Sequence, residues 1–98
     1  MADQRKRIAV FGAGYVGLVT GACFAELGHR VTVRDVIPER IEALRRGEVP
    51  IFEPGLDELL VRNRERLSFT LDVTEAMDGV EFVYVAVGTP PTYSGDAD

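Results

Sequence analysis

Apolar positions fall along this chain in strand-like runs separated by helix-like spacings. Ile8-Ala9-Val10-Phe11 is unbroken and apolar, so Arg7 to Phe11 reads as a central parallel strand covered on both faces. From about Gly14 to Leu27 the spacing predicts a helix, with Gly28 as its natural stop. Val31-Thr32-Val33-Arg34 is a second, β-branched strand closing at Asp35. A second helix starts near Pro38, carries Ile41 and Leu44 on one face and stops at Gly47. Glu48 to Pro54 reads as an irregular loop anchored by Ile51 and Phe52, and Pro54 to Val61 as a further short helix. Leu67 to Leu71 alternates as a third strand, and Asp72 or Thr74 caps a brief helical turn through Met77. Glu81 to Val87 is the most strand-like run of all, broken by Gly88-Thr89-Pro90-Pro91.

Strands that alternate with helices predict an α/β fold with a parallel sheet. With right-handed crossovers and strand order 3-2-1-4, the two long helical segments share one face. The other face is then covered only by the short Asp72–Asp78 turn, which leaves apolar sheet bare and the fourth strand on an open edge. On that ground residues 1–98 read as the first part of a longer protein, or as a chain that pairs with another.

The junction between the first strand and its helix carries the chemistry. Gly12-Ala13-Gly14-Tyr15-Val16-Gly17 has the spacing G-x-G-x-x-G, with a strand before it, a helix after it and an acid, Asp35, 23 residues beyond Gly12. That combination is the fingerprint of a dinucleotide-binding βαβ unit in a Rossmann-like, partial doubly wound sheet. Gly12 allows the tight turn, Gly14 lets backbone approach a pyrophosphate, and Gly17 lets the helix lie close on the sheet. Small residues continue down the same helical face at Gly21 and Ala25. The free N–H groups of Tyr15 to Gly17, at the positive end of the helix dipole, form an anion site.

Asp35 stands where a carboxylate accepts the ribose hydroxyls of NAD and repels the 2′-phosphate of NADP. Arg34 is adjacent, but neighbouring strand residues point to opposite faces. Arg40, in the first turn of the second helix, lies within reach of the ribose or adenine rim; by spacing alone, a solvated surface arginine fits it equally well. Thr89 follows the fourth strand, on the side where ligands of open α/β sheets bind, and is placed to hydrogen-bond the cofactor.

Charge narrows the partners. The 98 residues form one small domain with a net charge of −5 and no basic patch interleaved with aromatics, which argues against nucleic acid. Residues 1–49 hold 8 basic and 6 acidic side chains, whereas 50–98 hold 3 and 10, so the glycine-rich half repels an anion less. Cys23 is the only cysteine, which fits a reducing compartment, and it reads as a small buried hydrophobe on the first helix. His29 reads as a solvent-facing cation at a helix end. The acids of 53–58 lack His or Cys companions, so no metal site is expected. No apolar run is long enough to span a membrane and the N-terminus shows no signal architecture, so the expected location is cytoplasmic.

These motifs, together with Glu53-Pro54-Gly55-Leu56 and Ala86-Val87-Gly88-Thr89-Pro90, resemble the UDP-glucose/GDP-mannose 6-dehydrogenase family along essentially the whole chain. The resemblance implies oxidation of a nucleotide-sugar C6 alcohol to a carboxylate in two steps, UDP-glucose to UDP-glucuronate, with two NAD reduced, in a homo-oligomer. It assigns Val16 and the Gly12–Gly17 turn to the pyrophosphate, Asp35 and Arg40 to the adenosine ribose, and Thr89 to the cofactor nearer the nicotinamide. In this family the catalytic cysteine and its supporting lysine, asparagine and aspartate lie farther along, and Cys23 does not match that cysteine. These residues by themselves are therefore expected not to catalyse. Two alternatives stay open: a dehydrogenase of another nucleotide sugar such as GDP-mannose or a UDP-N-acetylhexosamine, and a stand-alone NAD-binding or interaction module.

Overall fold

The computed structural model describes residues 5–49 and 53–86. The elements follow the order β1 (Arg7–Phe11), α1 (Tyr15–Glu26), β2 (Arg30–Arg34), α2 (Pro38–Arg45), α3 (Leu56–Arg62), β3 (Leu67–Thr70), α4 (Val73–Met77) and β4 (Phe82–Val85). All strand pairs are parallel, and the sheet order is β3-β2-β1-β4. In register, Phe11 stands beside Arg34 on one side and Val85 on the other, so three strands end together at their carboxyl edge. The Ile51 and Phe52 anchors and the Gly88-Thr89-Pro90 turn lie outside the described residues.

Helix α1 packs through Gly17, Leu18, Gly21, Ala22 and Ala25, all buried. Its close approach to the sheet belongs to Gly21, where a Cβ would stand 3.2 Å from a methyl of Val33. Val10, Val31, Val33, Leu44, Leu60 and Leu67 complete the core beneath α1, α2 and α3. Cys23 is exposed rather than buried. It follows Gly21 by two residues, about 200° around the helix, and so points away from the sheet despite its apolar neighbours. His29 is half-buried instead of standing in solvent. Its Nδ1 accepts the Lys6 N–H at 3.0 Å, and its ring meets Phe24 edge-on.

Exposure of the sheet is narrower than the pattern of elements suggests. β1 is buried at Ile8, Ala9 and Val10, between β2 and β4, while α4 packs against β2 and β3. The bare region is β4, where Phe82, Val83, Tyr84 and Val85 are all exposed. At the opposite edge, the Arg45 guanidinium donates to the Phe69 carbonyl at 2.8 Å and so blunts β3 against further pairing. Between Asp72 and Thr74 as candidate caps for α4, Asp72 is the cap, its Oδ1 accepting from Thr74 and Glu75 N–H.

Candidate cofactor site

Three backbone facts build the site. The Gly12 N–H donates to the Arg34 carbonyl at 2.8 Å, carrying the β1–β2 ladder one residue past the strand. Gly12 then turns with φ of 114°, in the region that favours glycine, and sends the chain back over the sheet edge. α1 begins at Tyr15 with Gly14 as its N-cap and no side chain capping it.

Gly17 closes the turn. A Cβ there would overlap the Gly12 carbonyl oxygen, so its glycine is required by the turn, not by the helix–sheet contact that its spacing suggests. At Gly14, by contrast, a Cβ would meet no atom of the described residues within 4 Å. The backbone therefore presents an open face there, with room for a ligand. The first amide of the helix to find a partner is that of Leu18, bonded to the Gly14 carbonyl at 2.9 Å. Among the described residues the N–H groups of Tyr15, Val16 and Gly17 find no acceptor, and the first turn holds no acidic side chain. Three unpaired donors at a positive helix end, beside open backbone, suit a phosphate group.

Asp35 lies next to this turn at the end of β2 and is buried, only 7% exposed. Its Oδ2 accepts the Ala13 N–H at 2.6 Å and the Arg40 Nη1–H at 3.0 Å, and its Oδ1 accepts the Ile37 N–H at 3.0 Å. Burial pushes its carboxyl up, but the Ala13 and Ile37 N–H groups and the Arg40 charge outweigh burial and hold it below the ordinary aspartate range. Asp35 thus stitches the glycine turn to the strand beside it, in addition to the ribose contact expected of it from the sequence. That double engagement has no signal in residue spacing. Arg40 joins the site through Asp35, whereas Arg34 leaves it: the Arg34 Nε–H donates to the Leu71 carbonyl at 3.1 Å and its guanidinium lies 5.9 Å from the Phe11 ring centre. Thr89 lies outside the described residues.

A parallel sheet in the order 3-2-1-4, a glycine turn at the carboxyl end of its central strand and an acid closing the next strand define a dinucleotide-binding Rossmann domain. Residues 6–98 match the UDP-glucose/GDP-mannose dehydrogenase family, NAD binding domain. The chain belongs to that family, and NAD is its cofactor. It is 47% identical over 95 residues to UDP-glucose 6-dehydrogenase TuaD of Bacillus subtilis (strain 168), covering 95% of this chain and 21% of that protein. Among solved structures it is similar to a UDP-glucose dehydrogenase from the hyperthermophilic archaeon Pyrobaculum islandicum, with TM-score 0.88 and 43% identity over 100% of this chain and 24% of that one. A GDP-mannose dehydrogenase from Pseudomonas aeruginosa, solved as a ternary complex, aligns with TM-score 0.87 and 41% identity over 94% of this chain and 22% of that one. The chain spans about a fifth of the length of the curated relatives it matches.

Proposed function

We propose that this chain is the cofactor-binding part of a longer NAD-dependent nucleotide-sugar 6-dehydrogenase, acting on UDP-glucose and yielding UDP-glucuronate. The carrying observation is the set of N–H groups at Tyr15, Val16 and Gly17 that are unpaired among the described residues, beside the open backbone of Gly14. The turn from Gly12 to Gly17, Ala13 included, holds the pyrophosphate. Asp35 and Arg40 serve the adenosine ribose, and Thr89 serves the cofactor nearer the nicotinamide. Bound NAD supplies the hydride acceptor for each of the two oxidations. The residues of this chain bind and orient it, and the nucleophile and proton-transfer groups belong to other segments of the protein.

The choice of sugar leans on the UDP-glucose 6-dehydrogenases among the relatives, with 47% and 50% identity, against 42% for a GDP-mannose 6-dehydrogenase. Among the described residues no helix is long and apolar enough to cross a membrane. A single cysteine and a net charge of −5 support a reducing, cytoplasmic setting without nucleic acid, and the exposed apolar β4 fits a homo-oligomeric assembly or further chain packed against it.

Calorimetry and turnover on the full-length protein test the reading. NAD is expected to bind, Gly14→Val to weaken that binding by at least about tenfold through the Cβ and methyls placed where the pyrophosphate lies, and UDP-glucose to yield two NADH per sugar. NAD affinity indifferent to Gly14→Val would overturn the site. Turnover of GDP-mannose or a UDP-N-acetylhexosamine in preference to UDP-glucose would reassign the sugar alone.

A further inference from the structure

The carboxyl end of β3 is fixed by a buried hydroxyl. Asp35 lies one residue past β2, beyond the paired run that ends at Arg34 and Thr70, and its N–H goes to the Thr70 carbonyl at 3.1 Å. β3 is the outer strand of the sheet, so among the described residues no strand holds Thr70 from the far side. Its own side chain does so instead. Thr70 is 1% exposed, and its Oγ1 accepts the Asp72 N–H at 3.0 Å and donates to the Glu75 Oε1 at 2.7 Å. Strand propensity would be met as well by valine, which has the same shape, so propensity does not account for the hydroxyl. Next along, the Leu71 carbonyl takes the Arg34 Nε–H, so the ends of β2 and β3 grip each other.

Resting on the NAD reading, we propose that Thr70 is a positioning residue for the adenosine half of the cofactor. Its hydroxyl, tied to Asp72 and Glu75, sets the place of its own carbonyl, and that carbonyl sets the place of the Asp35 backbone. The Asp35 carboxylate can meet ribose hydroxyls only over the narrow range of a hydrogen bond, so a small shift of its backbone weakens the contact. Burial makes the arrangement strict, because removing the hydroxyl leaves the Asp72 N–H without its partner in the interior. Thr70 acts through Asp35 and not on the nicotinamide, so its effect falls on cofactor affinity rather than on hydride transfer.

The test is calorimetry on the full-length protein with NAD, ADP-ribose and UDP-glucose, together with steady-state kinetics, for wild type, Thr70→Val, Thr70→Ser and Glu75→Ala. Valine keeps the shape and discards the hydroxyl. Thr70→Val is expected to weaken NAD and ADP-ribose alike by about five- to tenfold, the scale of one buried hydrogen bond. KM for NAD should rise without a fall in kcat, and UDP-glucose affinity should stay the same. Equal loss for the two ligands places the effect in the adenosine half that they share. Thr70→Ser restores the hydroxyl and is expected within about twofold of wild type. Glu75 is exposed on α4, so Glu75→Ala decides the matter even if Thr70→Val fails to fold. A loss of about threefold for both ligands is expected there, since one of the two hydroxyl bonds is removed. Wild-type affinity in folded Thr70→Val, Thr70→Ser as weak as Thr70→Val, unchanged affinity in Glu75→Ala, or UDP-glucose affinity falling in step would overturn the positioning role while leaving NAD binding standing. Wild type that binds neither NAD nor ADP-ribose would overturn both.

Discussion

The two ends of helix α1 face the same problem and solve it in opposite ways. Every helix leaves amides unpaired at its start and carbonyls unpaired at its finish. At the finish of α1 the chain fills most of them. The carbonyls of Cys23, Phe24 and Ala25 accept from Leu27, Gly28 and His29 N–H, and the Ala25 carbonyl also accepts the Arg66 Nε–H at 2.9 Å. The Glu26 carboxylate beside them takes the Asn63 amide at 2.8 Å and the Arg62 Nε–H at 3.2 Å. At the start, nothing among the described residues answers the amides of Tyr15 to Gly17, although Asp35 is near enough to bond the adjacent Ala13 N–H. Filled carbonyls mark the end that only has to hold the fold together. Unspent donors mark the end that is proposed to receive the cofactor.

Gly17→Ala should have the largest effect, because it attacks the shape of the open end. Its Cβ would overlap the Gly12 carbonyl, so either the turn moves or the helix start unwinds. A loss of about 3 kcal/mol or more in chemical denaturation is expected, near the upper range of overpacking, together with loss of NAD binding. Wild-type stability in this variant would mean that the turn is not as tight as described. The opposite end gives the contrasting case. Asn63 is fully buried, and its amide joins Glu26, the Leu59 carbonyl at 2.9 Å and the Arg66 guanidinium at 2.8 Å. Asn63→Ala should cost about 2 kcal/mol, as buried groups lose partners, while NAD affinity of the folded protein stays the same. A fall in affinity matching the fall in stability would erase the distinction between the two ends.

How much of this was legible in the residues follows from the range of each interaction. The sheet order and the element boundaries are local and repetitive signals: an apolar run at Ile8–Phe11, a β-branched run at Val31–Val33, and Gly28, Gly47 and Gly79 as punctuation. The glycine turn is likewise contiguous. The Asp35–Ala13 bond joins residues 22 apart, and the Glu26–Asn63 bond joins residues 37 apart. Such pairs depend on strand register and helix docking, and one partner is often a backbone N–H that every residue carries, so no pattern announces them. Cys23 shows a different limit. Its neighbours Ala22 and Phe24 suggest burial, but the phase of the helix decides exposure, and Gly21 sets that phase by approaching Val33. Asp35 and Arg40 were legible as candidate residues. Their ion pair was not.

Acid titration is the most delicate separation of the two ends, since each is held by one carboxylate below its ordinary range. For Asp35, burial raises the carboxyl, and the Ala13 and Ile37 amides with Arg40 lower it further than burial lifts it. For Glu26, the Asn63 amide and then Arg62 lower it. A depressed carboxylate contributes stability above its unfolded value, about 3.9 for Asp and 4.3 for Glu, and loses it as pH falls through the folded value. Stability should therefore decline from about pH 4 downward, and Asp35→Asn and Glu26→Gln should each flatten part of that decline. Salt tells the two parts apart. Glu26 is 45% exposed and its pairing is screened, whereas Asp35 is 7% exposed and bonded mostly to backbone. In about 0.5 M salt the effect of Glu26→Gln on the slope should fade and that of Asp35→Asn should remain. Equal fading of both would place the Asp35 carboxylate in solvent and remove the buried anchor on which the open end of α1 depends.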